Sequence, residues 1–369
     1  MTRSLKTLLT LLAVFALLGS ACGSGSDEAG SGDGDGSSDG KDVKAAFVMV
    51  APVGDAGWNF MHDKGRQAAE AATGVETAFV EAIPEGGAEF DNAVQQFIDD
   101  GFNVIFTTSF GYMDATEKFA ADNPDVIFEH ISGFKMNDTN FGNSFGRMYQ
   151  PRYIAGMAAG AATTTNKIGY VAAFPIPEVI RGINAFTLGA RRMNPQAEVE
   201  VAWTSTWFDP TVEGNTAQAL LDAGADVLTM HQDSTATGQA ATDAGATFIG
   251  YHSDMSTQVG NYLTAPVWDW SSRYSDVINA AKAGTYTPES WWGGMADGVV
   301  NIEIPSDSPA AAEMTEVRDQ IIAGEFDVFE GEILAQDGSV MVAEGEKLDD
   351  GTMLGMSTFV EGVIGSAAG

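Results

Sequence analysis

The chain is poor in cysteine, histidine and cations. Its 369 residues hold one Cys, four His, and 18 Lys plus Arg against 51 Asp plus Glu. A single cysteine, Cys22, excludes an internal disulfide framework and any CxxC zinc or redox site. The histidines (His62, His130, His231 and His252) are widely separated, and none forms an HExxH pair. A formal net charge of −33 argues against nucleic acid, whose binders need cations to displace counterions, and against heavily phosphorylated ligands. Enzyme signatures are missing as well: there is no GxSxG, no P-loop and no GxGxxG after a strand. Neither catalysis, a metal nor a cofactor is expected.

What is present begins with an address. Arg3 and Lys6 precede an apolar run from Leu8 to Leu18, followed by Gly19, Ser20, Ala21 and Cys22. A charged start, a short apolar stretch and small residues make residues 1–21 a secretory signal peptide, too short to remain as a membrane span. Leu18–Cys22 resembles a lipobox with its Leu one place early, so Cys22 is either a lipidated N-terminus or a residue of an ordinary signal. Residues 22–43 continue as a Gly/Ser/Asp-rich tether, since such a composition cannot bury apolar surface. Beyond it no stretch is long and apolar enough to cross a bilayer. The expected location is extracytoplasmic, anchored to the cell membrane by lipid. The acid surplus suits a saline habitat or an ordinary acidic exported protein.

The body is 44% hydrophobic overall, enough for real cores. From Val43 strand-like runs alternate with helical patterns: strands at 43–50, 75–83, 104–108 and 126–131, helices at 59–73, 90–100, 114–121 and 153–162. The rhythm restarts with strands at 167–173, 199–205, 226–230 and 247–251 and helices at 178–193, 216–223 and 238–244. Repeated β–α units with apolar strands predict an α/β protein of two lobes, each a parallel sheet flanked by helices. The first lobe is expected over 44–165, the second over 166–270, with 271–369 shared between them.

Ligands of open α/β sheets bind beyond the carboxyl ends of the strands. There stand Asp55, Trp58 and Asn59; Ser109, Phe110 and Asp114; Trp207 and Asp209; His231 and Asp233; His252 and Asp254; Trp268 and Trp270. Bland roles compete: loop aromatics that pack on their own lobe, and aspartates that cap helices or turns. Flat rings beside hydrogen-bond acceptors suit planar, nitrogen-bearing ligands.

Five segments carry a specific resemblance: Gly57–Phe60 (GWNF), Ile176–Arg191 (IPEVIRGINAFTLGAR), Trp207–Pro210 (WFDP), Ile249–Met255 (IGYHSDM) and Trp292–Val299 (WGGMADGV). Together with the lipobox they resemble the basic membrane protein family of ABC-transporter substrate-binding lipoproteins, from Val43 onward. The resemblance implies a two-lobed type I periplasmic-binding-protein fold that closes by hinge motion on a purine. Trp58 and Trp207 match the two rings that sandwich the base, Asp114 the acid at the base edge, and Asp254 the acid at the end of a second-lobe strand. Asn59, Asp233, Trp268 and Trp270 complete the expected ligand-binding set. Two partners of the ribose are missing, with Ala51-Pro52 and the Trp268–Trp270 segment in their places. A purine base, adenine-like, is therefore expected over a nucleoside, with a sugar or autoinducer receptor on the same fold as the alternative. ABC permease and ATPase subunits are the expected partners, and the protein is expected to be a monomer.

Overall fold

The computed structural model describes residues 42–306, 308 and 310–369; the signal segment, Cys22 and nearly all of the tether lie outside the described residues. The first half supplies β1 (Lys44–Val48), α1 (Trp58–Thr73), β2 (Glu76–Val80), α2 (Ala88–Asp99), β3 (Val104–Thr107), α3 (Met113–Asp122), β4 (Ile127–Ile131), β5 (Phe141–Gly146) and α4 (Tyr149–Ala162). Next come β6 (Lys167–Ala172), α5 (Pro177–Met193), β7 (Glu198–Trp203), α6 (Pro210–Asp222), β8 (Val227–His231), α7 (Ala236–Ala244), β9 (Thr247–Ile249) and β10 (Tyr262–Thr264). The tail holds β11 (Pro266–Trp268), α8 (Ser271–Ala283), β12 (Ser290–Gly293), β13 (Val300–Ile302), α9 (Ala311–Ala323), β14 (Glu330–Leu334), β15 (Val340–Lys347), α10 (Asp350–Leu354) and β16 (Val363–Ile364).

Two six-stranded sheets result, in the orders β12-β5-β4-β3-β1-β2 and β10-β9-β8-β6-β7-β16. Every pairing within them is parallel. Their central strands are buried on both faces, which is why they read as unbroken apolar runs rather than alternating ones. This is the two-lobed α/β arrangement of type I binding proteins. The tail returns one strand to each sheet, β12 to the first and β16 to the second.

Local chemistry sets the helix ends that matter for the site. Asp55 accepts from the backbone N–H groups of Gly57, Asn59 and Phe60 and so caps α1. Asp209 caps α6 through Thr211 and Val212, with Pro210 in the first turn; that start signal opens α6 six residues before the sequence pattern placed it. Helix α5 begins at Pro177, carries Glu178 in its first turn and ends with Arg191 and Arg192, as its dipole favours.

Helices α4 and α5 pack backbone to backbone. A Cβ on Gly156 would fall 1.9 Å from the Phe186 carbonyl oxygen, and one on Gly189 1.9 Å from that of Tyr153. Only glycine allows this approach, and it carries Arg152, Glu178 and Arg181 to the space between the sheets.

Candidate functional site

A narrow cavity, partly open to solvent, lies at the carboxyl ends of the strands. Trp58 forms one wall and Trp207 another, with Ser109, Ser132, Glu178 and Asp233 among the polar groups lining it.

Trp58 opens α1 directly after the Asp55 cap. Its indole N–H donates to the Thr108 carbonyl at 2.7 Å. Its ring is boxed edge-to-face by His62, Trp268 and Trp270 at centroid distances of 4.1, 5.4 and 6.0 Å. Trp207 stands on the loop between β7 and α6, half-buried, packed on Phe174 at 5.0 Å. Its indole N–H has no partner among the described residues.

The lobes touch beside the cavity. Asp233 Oδ1, at the end of β8, accepts from the Trp58 backbone N–H at 3.3 Å and lies 3.1 Å from His252 Nε2. The Trp268 indole N–H donates to His252 Nδ1 at 2.9 Å, which assigns the imidazole proton to Nε2, pointing at Asp233. Asp233 Oδ2 makes no hydrogen bond among the described residues, and Asp233 lines the cavity. The Ser253 hydroxyl donates to the Ala56 carbonyl at 2.5 Å. A Cβ on Gly57 would lie 2.7 Å from the Asp233 Cα, so this closeness of the lobes depends on glycine.

Burial sets the protonation states. It pushes the Asp233 carboxyl up to about 7. Asp55 also rises to about 7, through burial and the nearby Asp233 charge. Glu178, which accepts from the Ser132 hydroxyl, rises to about 7 by burial. Burial holds His231 and His252 well below the usual imidazole range, hence neutral. Near neutral pH the cavity thus offers carboxyl groups able to accept or to donate. Among the described residues no group of three or more His, Cys, Asp or Glu is placed to hold a metal ion.

The expected site residues separate into three groups. Trp58, Trp207 and Asp233 line the cavity. Asn59, Trp268 and Trp270 are fully buried behind it: Asn59 donates to Asp55 at 2.7 Å, and the two tryptophans stack at 4.9 Å as the backing of Trp58. Asp114 and Asp254 lie outside. Asp114 is exposed because α3 turns Met113, Thr116 and Ala120 inward, and it pairs with Lys135 at 2.9 Å. Asp254, also exposed, accepts from the Ser256 backbone N–H at 2.8 Å and closes a turn.

Sequence reading passed over Glu178 and Arg152. Glu178 lies six residues beyond the carboxyl end of β6, where a strand-end search could have found it. Arg152 sits on α4, in a small-residue pattern that gave no sign of a site.

Comparison with known proteins fits this geometry. A Haloferax volcanii protein, provisionally named as the glucose-binding component of an ABC transporter, is 41% identical over 90% of this chain and 83% of its own length. A purine-binding protein of Brucella abortus is also 41% identical, over 87% of this chain and 93% of its own. An ABC-transporter solute-binding protein of Aeropyrum pernix superposes with a TM-score of 0.67 at 18% identity, covering 77% of this chain and 92% of that one, a likeness of fold. No described helix is long and apolar enough to cross a membrane. Residues 42–330 match the model of the Bmp family, ABC transporter substrate-binding proteins of the PnrA-like type, and the chain belongs to that family of non-enzymatic, extracytoplasmic binding proteins.

Proposed function

We propose that the protein captures a purine base, adenine-like, between Trp58 and Trp207 and presents it to an ABC permease. The observation that carries this reading is one small cavity with an indole from each lobe and carboxyl groups at its edge. Stacking supplies about 1–3 kcal/mol per base face. The Asp233 and Glu178 carboxyl groups complement ring N–H and amino donors. Trp268 and Trp270 fill the volume behind Trp58 with rings, which favours a base over a nucleoside. The 41% identity to a purine-binding protein supports the same ligand class. Ligand bridges the lobes and selects the closed form, because only binding that prefers one conformation shifts the population.

Calorimetric titration with adenine, guanosine and glucose tests the proposal. Adenine should bind most tightly. Tighter guanosine would enlarge the ligand to a nucleoside. Tighter glucose would move the assignment to a sugar, the second reading, which the 41% identical Haloferax relative and the Ser109 and Ser132 hydroxyls favour.

Lipid on Cys22 would hold the protein at the membrane through its tether. Two or more acyl chains suffice where one gives only marginal binding. Intact mass of the membrane-extracted protein, wild type against Cys22→Ser, reads this directly: an unmodified wild-type mass refutes it. We take the unit of function to be the monomer, since one chain supplies both walls of the cavity.

A further inference from the structure

Behind the cavity, and sharing Glu178 and His231 with it, is a smaller and more enclosed annex that includes Arg152, Arg181 and Tyr251. Arg152 is fully buried, yet none of its side-chain nitrogens has a hydrogen-bond partner among the described residues. Its guanidinium lies over the Tyr251 ring, 3.4 Å from the centroid. The Tyr170 hydroxyl and His231 Nδ1 are likewise buried and unpartnered.

These three orphans surround one point. A Cβ built on Gly182, in the middle of α5, would stand 3.8 Å from Arg152 Nε, 3.8 Å from the Tyr170 hydroxyl and 3.9 Å from His231 Nδ1, with nothing closer. The charge there is unbalanced. Arg181 spends one N–H on the Met353 carbonyl at 2.7 Å and has Glu178 as its acidic neighbour. Glu178 Oε1 stays 3.9 Å from His231 Nε2, and its Oε2 is taken by Ser132. Among the residues lining the annex, Glu178 is the one carboxyl group beside two guanidinium groups, Arg152 and Arg181. A buried charge without a partner is strongly unfavourable, and a cradle of N–H and O–H groups beside it is what an anion requires.

We infer that the annex is a subsite for a small monovalent anion, held by Arg152, Tyr170 and His231 beside the open face of Gly182. Two sources share this chemistry: free halide, or a carboxylate carried by the ligand and reaching past Glu178. The inference rests on the main cavity being the ligand site only for the second source.

Gly182→Ala is the decisive variant. Its methyl fills the cradle at ordinary contact distances and improves helix propensity, so the fold is preserved. Crystals grown in bromide should give an anomalous peak between Arg152 and Tyr170 in the wild type and none in Gly182→Ala. Thermal unfolding at constant ionic strength should be raised when chloride replaces gluconate, and this response should vanish in Gly182→Ala and in Arg152→Met. For the ligand source, 6-carboxypurine should bind the wild type about tenfold or more tightly than the neutral 6-carbamoylpurine, with the preference lost in Gly182→Ala. A bromide peak without that preference assigns free halide, and the preference without a peak assigns the ligand. No peak, no halide response and no carboxylate preference would make the annex a water pocket and overturn the inference. The halide measurements need no purine, so they stand even if purine binding fails.

Discussion

The two walls of the cavity are built by opposite means. On the first lobe, Trp58 is 8% exposed, its N–H is satisfied by Thr108, and rings contact it from several sides. On the second, Trp207 rides an irregular loop in which Ser205 adopts a positive φ of 58°, and its N–H is unpartnered. One wall belongs to the hydrophobic core, while the other is only partly buried and meets the rings of Phe174 and His231 at 5.0 and 6.4 Å. A rigid plate pre-organises the ligand face, and an adjustable one can close on ligands of different outline.

The contrast is most exposed to failure at Trp58. Trp58→Ala should abolish measurable ligand binding and also cost about 3–5 kcal/mol of folding stability, because it empties the centre of an aromatic cluster. Denaturant unfolding beside calorimetry separates the two losses. Unchanged stability would mean that Trp58 is a removable lid like its counterpart.

Gly57→Ala comes next and isolates closure from folding. The nearest atoms to the added methyl are the Asp233 backbone of the other lobe, so each lobe should fold normally while the closed form is blocked. Ligand affinity should fall by about tenfold or more. Solution scattering with saturating ligand should report a more open particle than the wild type. Wild-type affinity and compactness in the variant would show that the contact at Asp233 is dispensable.

Trp207→Ala should weaken binding by roughly 1–3 kcal/mol, one stacked face, with little change in stability. A stability loss as large as that of Trp58→Ala would erase the distinction between the walls.

The same contrast explains what could be read beforehand. The β–α rhythm of both lobes was legible because strands buried on both faces announce themselves as apolar runs. Trp58 and Asp233 were legible because the carboxyl ends of the strands border the cavity they line. β5, β12 and β16 were not: β5 is Gly- and Asn-rich (FGNSFG), β12 is Ser-Trp-Trp-Gly, which reads as packing aromatics, and β16 has two residues. Asp114 and Asp254 misled because proximity to a strand end says nothing about helix phase or turn direction. Arg152 was hidden because its neighbours on α4 are small and apolar, and only the glycine contacts between α4 and α5 bring it near Glu178. The family resemblance pointed to Trp58 and Trp207, which line one cavity, and also to two acids that this chain turns outward.

The smallest expected effect is on pH, and its sign follows from counting protons at the closed site. Asp55, Asp233 and Glu178 are raised by burial to about 7 from their ordinary values, so closing over them takes up protons between about pH 4 and pH 7. His231 and His252 are depressed by burial, so closing releases protons below their ordinary pKa of about 6.5. Three groups that take up protons outweigh two that release them, and Glu178 with His231 roughly cancel as neighbours. Stabilisation from the carboxyl groups is therefore present at the acid end and lost as pH rises toward 7. Affinity for a ligand that does not itself titrate in this range should weaken several-fold from about pH 5 to pH 7.5 and then level off. Asp233→Asn removes one uptake and also the charge that adds to the rise of Asp55, leaving release at His252 to offset what remains, so its profile should be nearly flat over the same interval. A wild-type profile as flat as that of Asp233→Asn would mean that Asp55 and Asp233 are no more buried when the lobes meet than when they part, and the contact at Gly57 would then be a feature of both forms rather than the mark of closure.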